Sequence, residues 1–250
     1  MKLFINNRKG QKISVLIDKQ ESQKGLVFVM HGLGGFKEQP HIQTFADSFL
    51  ESGFTVVRFD TTDSFGESDG NYENATTTNY YEDLEDVINW ANKQEWYQEP
   101  FCLIGHSLGG LCITVYASRY QQKVQALVPA SPTINAEILE NKKKGELTEI
   151  DGIVWHIVKH HNLDYIKKLK WINFIEDFRN YDLRESLAQV NTSKMVLIGE
   201  NESYLKPLTE MSRELGFNLE VIKNADHNYL NEGNLKQIKE IIKKFISGFL

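Results

Sequence analysis

The chain predicts an α/β fold: a mostly parallel central sheet of about eight strands, flanked by helices, with a mainly helical insertion after the sixth strand. Three observations carry that expectation. Continuous apolar runs at 25–30, 54–59, 101–104, 124–130 and 194–199 mark strands buried on both faces. Segments of helical spacing alternate with them, as a parallel sheet requires. The residues best suited to chemistry (the 31–35 loop, Ser107, Glu202, His227) each fall just past a strand. Open α/β sheets bind ligands at those carboxyl ends.

The elements follow in order. Residues 2–6 and 11–18 read as an edge hairpin, with Asn6-Asn7-Arg8-Lys9-Gly10 as its turn. The buried run 25–30 ends in His31-Gly32-Leu33-Gly34-Gly35, where glycines let backbone approach a ligand closely. His31 itself reads as a structural hydrogen-bonding group. Ile42, Phe45, Ala46, Phe49 and Leu50 have helical spacing, and Gly53 ends that helix. Strand 54–59 opens into a long polar loop over 60–70, whose acids fit no calcium-loop spacing. A helix over 78–96 precedes strand 101–104. After strand 124–130 the pattern changes. The segment 132–192 is richer in charge, and Ile153, Val154, Ile157 and Val158 share a helical face. An aromatic and apolar series runs from Tyr165 and Ile166 through Trp171 to Phe178. Strand 194–199, helix 207–215 closed by Gly216, strand 218–222 and an amphipathic helix over 234–248 complete the chain. The domain expectation is a core of 1–131 and 193–250 with a cap of 132–192.

Composition excludes several classes. The 250 residues carry 28 basic and 34 acidic side chains, a net charge of −6, so a nucleic-acid partner is not expected. Cys102 and Cys112 read as small buried hydrophobes rather than a disulfide framework. No apolar leader region and no membrane-length apolar stretch are visible, which makes a reduced cytoplasmic location the default. His156 and His160 are four apart, but no glutamate follows His156 and no third ligand is evident, so no metal is expected.

The central motif is Gly105-His106-Ser107-Leu108-Gly109, between an apolar strand and an apolar helix. A nucleophile in such a turn is strained, and Gly105 and Gly109 give it room. The helix start aims its unpaired N–H groups and positive end at a developing oxyanion. A serine hydroxyl needs a base, and a base needs a carboxylate to orient it. His227 is the histidine placed between the last strand and the last helix. Glu202, three residues past Gly199, is the favoured acid; Glu200 and Asp226 are the alternatives.

With these residues in place, the chain resembles serine hydrolases of the α/β-hydrolase superfamily, close to monoglyceride-lipase-like and cinnamoyl or feruloyl esterase-like members. The 31–35 loop, the 60–70 loop, Gly105 to Gly110, Gly199-x-x-Glu202 and Ala225-Asp226-His227 carry the likeness. The resemblance implies Ser107 as nucleophile, His227 as base and Glu202 as acid, with the backbone N–H groups of Leu33 and Leu108 as oxyanion hole. It departs from most relatives in having Glu202 where they have aspartate. It implies a small-molecule ester substrate, no cofactor and no metal. A thioesterase or acyl transferase with the same triad, and a ligand-binding member that has lost catalysis, are the other expectations.

Overall fold

The structure, a computed structural model, describes residues 1–159 and 166–249. Eight strands form one sheet in the order β1-β2-β4-β3-β5-β6-β10-β11. They are β1 (Lys2–Asn6), β2 (Lys12–Asp18), β3 (Gly25–Met30), β4 (Phe54–Phe59), β5 (Phe101–His106), β6 (Val124–Ala130), β10 (Ser193–Gly199) and β11 (Asn218–Ile222). The β1–β2 and β2–β4 pairings are antiparallel. From β4 to β11 every pairing is parallel.

Alternation along each strand divides the core in two. Val27 and Val29 of β3 face a layer made with Ile42, Phe45 and Phe49 of α1 (Pro40–Leu50) and Ile238, Ile242 and Ile246 of α8 (Glu232–Ser247). Leu26, Phe28 and Met30 face the other way, onto α2 (Thr77–Ala91) and α3 (Leu108–Arg119). Strands covered on both faces have little solvent side, which is why their sequences are mostly apolar, with Thr55 and Arg58 of β4 as buried exceptions. Helix α7 (Leu205–Leu215) ends at Gly216 in a left-handed conformation, φ 68°, a glycine C-cap.

The 60–70 loop is tied inward. Lys37 is 1% exposed, and its Nζ lies 2.6 Å from Asp60 Oδ2 and 2.7 Å from Glu67 Oε2. Asp60 Oδ1 also accepts the Lys37 N–H at 2.7 Å. These contacts hold the 60–70 loop against the segment that carries Lys37.

Between β6 and β10 lie α4 (Ala136–Lys143), a three-stranded antiparallel sheet β7 (Leu147–Ile150), β8 (Ile153–Lys159) and β9 (Ile166–Lys170), then α5 (Trp171–Phe178) and α6 (Leu183–Gln189). The helical reading of 153–158 is therefore corrected. Those residues are largely β-branched, which favours a strand. Asp151-Gly152, with φ 53° and 76°, makes the two-residue hairpin turn that joins β7 to β8. His160, His161 and Tyr165 lie outside the described residues. Among the described residues no helix is long and apolar enough to cross a membrane.

Candidate active site

Ser107 sits between β5 and α3 with φ 53° and ψ −117°. For a residue with a Cβ this is a strained conformation. Close packing enforces it. A Cβ on Gly105 would lie 2.7 Å from the Gly109 backbone, and one on Gly109 would lie 2.3 Å from the carbonyl oxygen of His31. The elbow is thus wedged against the end of β3 as well as against its own strand.

Three strand ends converge on the hydroxyl. His227 Nε2 is 3.0 Å from Ser107 Oγ, and its Nδ1 is 2.7 Å from Glu202 Oε2. With Glu202 ionised, Nδ1 carries the ring proton, and Nε2 is left to accept from the serine. The His227 side chain is 30% exposed and that of Glu202 is 2% exposed. Burial pushes the Glu202 carboxyl up. Its hydrogen bond and charge contact with His227, the Ser131 hydroxyl and the Gly199 N–H at 3.0 Å outweigh this and hold it below the usual glutamate value. Glu200 faces the other way, where its Oε2 accepts the Asn224 N–H at 2.9 Å. Asp226 Oδ1 caps the turn by accepting from Asn228 and Tyr229.

The 31–35 loop lies directly against the elbow. A Cβ on Gly32 would be 2.9 Å from Ser107 Cβ. His31 Nδ1 donates to the Gly32 carbonyl at 2.8 Å while its Nε2 accepts from Thr61 N–H at 3.0 Å, the structural role expected of it. Gly34 N–H donates to Tyr80 OH at 3.0 Å. The amides of Leu33 and Leu108 meet no acceptor among the described residues, and both residues line the cleft above Ser107.

Several residues at the site escaped the sequence reading. The Ser131 hydroxyl donates to Glu202 Oε1 and meets Tyr229 OH, which is wholly buried. His106 Nε2 donates to the His227 carbonyl at 2.7 Å and so pins the loop that carries the base. Thr133 Oγ1 is 3.4 Å from Ser107 Oγ. His41 stacks edge-on against His106, ring centres 4.4 Å apart, and neither of its ring nitrogens has a hydrogen-bond partner among the described residues. Burial pushes the His41 pKa down to about 3 and that of His106 well below the ordinary value. Ser131 was accessible to the strand-end rule, since it directly follows β6. His41 and Tyr229 carry no such signal.

The cleft has a volume of about 310 Å³ and runs from the elbow under α4 and α5. Among the described residues no group of three or more His, Cys, Asp or Glu side chains is placed to hold a metal ion.

A mostly parallel sheet with a strained serine elbow facing a histidine after the last strand defines an α/β hydrolase. The model of the serine aminopeptidase S33 family matches residues 21–192, and the chain belongs to that family. An uncharacterized 31.7 kDa protein of Escherichia coli, from the traX-finO intergenic region, is 35% identical over 126 residues. That match takes in 50% of this chain but 42% of the relative's length, so this chain spans less than half of that protein. The mitochondrial palmitoyl-protein thioesterase ABHD10 of Bos taurus is 24% identical over 213 residues, 80% of this chain and 66% of that one. Among solved structures, Est1E of Butyrivibrio proteoclasticus with ferulic acid bound superposes with a TM-score of 0.81 over 98% of both chains at 20% identity. Mouse ABHD10 gives 0.75 over 100% of both at 16%. At such identities the likeness is one of fold.

Proposed function

We propose that this hydrolase is a serine esterase acting on carboxylic esters. The observation that carries the reading is the continuous line from Ser107 Oγ through His227 to Glu202, at 3.0 and 2.7 Å. Ser107 Oγ attacks the ester carbonyl as its proton passes to His227 Nε2. The resulting oxyanion takes the Leu33 and Leu108 N–H groups, each such donor being worth about 3 kcal/mol in the barrier. The C–O bond to the alcohol breaks, and the His227 proton goes to the departing oxygen. Water, giving its proton to His227, attacks the acyl-serine; that proton returns to Ser107 as the acid leaves. Glu202 stays ionised and stabilises the imidazolium. No cofactor is called for. The segment 132–192 acts as the cap that shapes the cleft, and two unpaired buried cysteines suit a reducing cytoplasm.

A thioester substrate is the second reading, favoured by the bovine relative's printed activity. Peptide N-termini are disfavoured. An α-ammonium group calls for a carboxylate in the cleft wall, and among the described residues no aspartate or glutamate lines it.

The test is fluorophosphonate labelling with p-nitrophenyl ester turnover, wild type beside Ser107→Ala. The substitution should abolish labelling and lower kcat by about 10⁴-fold or more. A folded wild type that neither labels nor turns over esters would sink the proposal. Matched oxygen esters and thioesters of one acyl group separate the two readings.

A further inference from the structure

The charges in the cleft wall are unbalanced. Among the described residues its basic side chains are His41, His106, His156, His227, Lys142 and Lys143, with no aspartate or glutamate. The two lysines differ. Lys143 Nζ lies 2.7 Å from Glu146 Oε2, which also takes His156 Nε2 at 2.8 Å. One carboxylate thus serves both groups. Lys142 makes no ion pair among the described residues. Its ammonium lies 4.2 Å from the centre of the Tyr204 ring, and Tyr204 is 3% exposed. An aromatic face directs a cation without neutralising it. Lys142 is exposed at the cleft wall, so its ammonium is open to pairing with an arriving anion.

Position along α4 sets where that anion would sit. The segment leaves the elbow at Thr133, beside Ser107, and α4 starts at Ala136. Lys142 stands six residues further on, about 9 Å along the helix axis at its regular rise. Between them the wall is apolar, formed by Leu139 and Phe174.

We propose that the substrate is an ester with an apolar middle and an anionic far end, a carboxylate or phosphate-type group, and that Lys142 selects it. This rests on the serine-esterase reading and names its substrate class.

The experiment compares three p-nitrophenyl esters of one chain length: the hexanoate, the hemiadipate and the 6-phosphonohexanoate. Each is measured with wild type, Lys142→Met and Lys142→Glu. The readout is the ratio of kcat/KM for each anionic ester to that for the hexanoate. It should exceed one in wild type, fall by about fivefold or less in Lys142→Met and further in Lys142→Glu, mainly through KM, as expected for an exposed charge pair. Salt should lower the wild-type ratio more than that of Lys142→Met. The two anionic esters between them report which anion is preferred. A ratio equal in all three proteins overturns the proposal. A second arm follows Tm with adipate and with hexylphosphonate, which cannot be hydrolysed. At least one should stabilise the wild type and neither should stabilise Lys142→Glu. If no ester is cleaved but this shift appears, the esterase reading fails and the anion subsite stands. If the hexanoate is cleaved with no anion effect in either arm, the subsite fails and the esterase stands.

Discussion

The two walls of the cleft are built by different means. On the sheet side, each member of the proposed triad is held by backbone or by a buried partner. Ser107 N–H donates to the Ala130 carbonyl, Glu202 takes the Gly199 N–H, and the His227 carbonyl takes His106. On the side of the 132–192 segment, the ties to the rest of the chain are apolar packing, with Trp171, Phe174, Ile175 and Phe178 buried in one cluster with α2 and α3, and the Thr78 hydrogen bonds to Asp177. The ion pairs of Lys143 with Glu146, Arg179 with Glu140 and Lys170 with Glu73 lie at its surface. Exposed pairs of this kind are worth about 0–1 kcal/mol each. Catalysis needs groups fixed to a fraction of an ångström. Selection of one substrate over another needs much less. The wall held rigid by directional hydrogen bonds suits the reaction, and the wall built from apolar packing suits the choice of substrate.

Three measurements would break or sharpen that contrast. The largest effect belongs to Glu202→Gln, which keeps the shape but favours the wrong His227 tautomer. It should lower kcat by about 10³–10⁴-fold with a small change in KM. A loss below tenfold would show that the acid is not what orients the base.

Next comes pH. His41 and His106, packed against each other on the rigid wall, are held neutral by burial, near His31 and His227. Their native pKa values lie below the unfolded one, so on acidification the unfolded chain takes up protons that the native state refuses. Stability is therefore whole above about pH 6.5 and declines below it by about 1.4 kcal/mol per pH unit for each histidine. For His41 the decline continues toward its native value of about 3. Urea unfolding between pH 7.5 and 5 measures the slope, and His41→Phe should remove roughly one proton from it. An unchanged slope in that variant would mean that His41 is protonated in the native protein.

The smallest effect lies across the cleft. Leu139→Ala on α4 should lengthen the preferred acyl chain by about one or two methylenes and change kcat/KM by about tenfold or less. A panel of p-nitrophenyl esters of increasing chain length reads this. A large fall in kcat for every ester would place α4 in the reaction itself.

The sequence was legible where one physical rule decided a position. Strands buried on both faces are mostly apolar, so β3, β4, β5, β6 and β10 stood out. The serine turn showed itself through the glycines its packing demands. Legibility failed where two readings fit the same letters. Glu200 and Glu202 share one loop, and what draws Glu202 inward is Ser131, 71 residues away in sequence. At 153–158 a helical spacing coincides with a strand, and the stronger local signal is Asp151-Gly152, which makes the hairpin turn before β8. Tyr229 and His41 acquire meaning from tertiary neighbours, which no local pattern reports.

The chain of hydroxyls behind Glu202 has an evolutionary consequence. Tyr229, Ser131 and the glutamate form one buried line of hydrogen bonds. Shortening the acid would leave the Ser131 hydroxyl without its acceptor, and deleting the Ser131 hydroxyl would strand that of Tyr229. The three positions behave as one inherited character. A lineage passing between aspartate and glutamate here must change them together or cross a stage with a poorly held base. That barrier would keep the choice of acid constant within a branch of the family while the opposite wall is free to diverge.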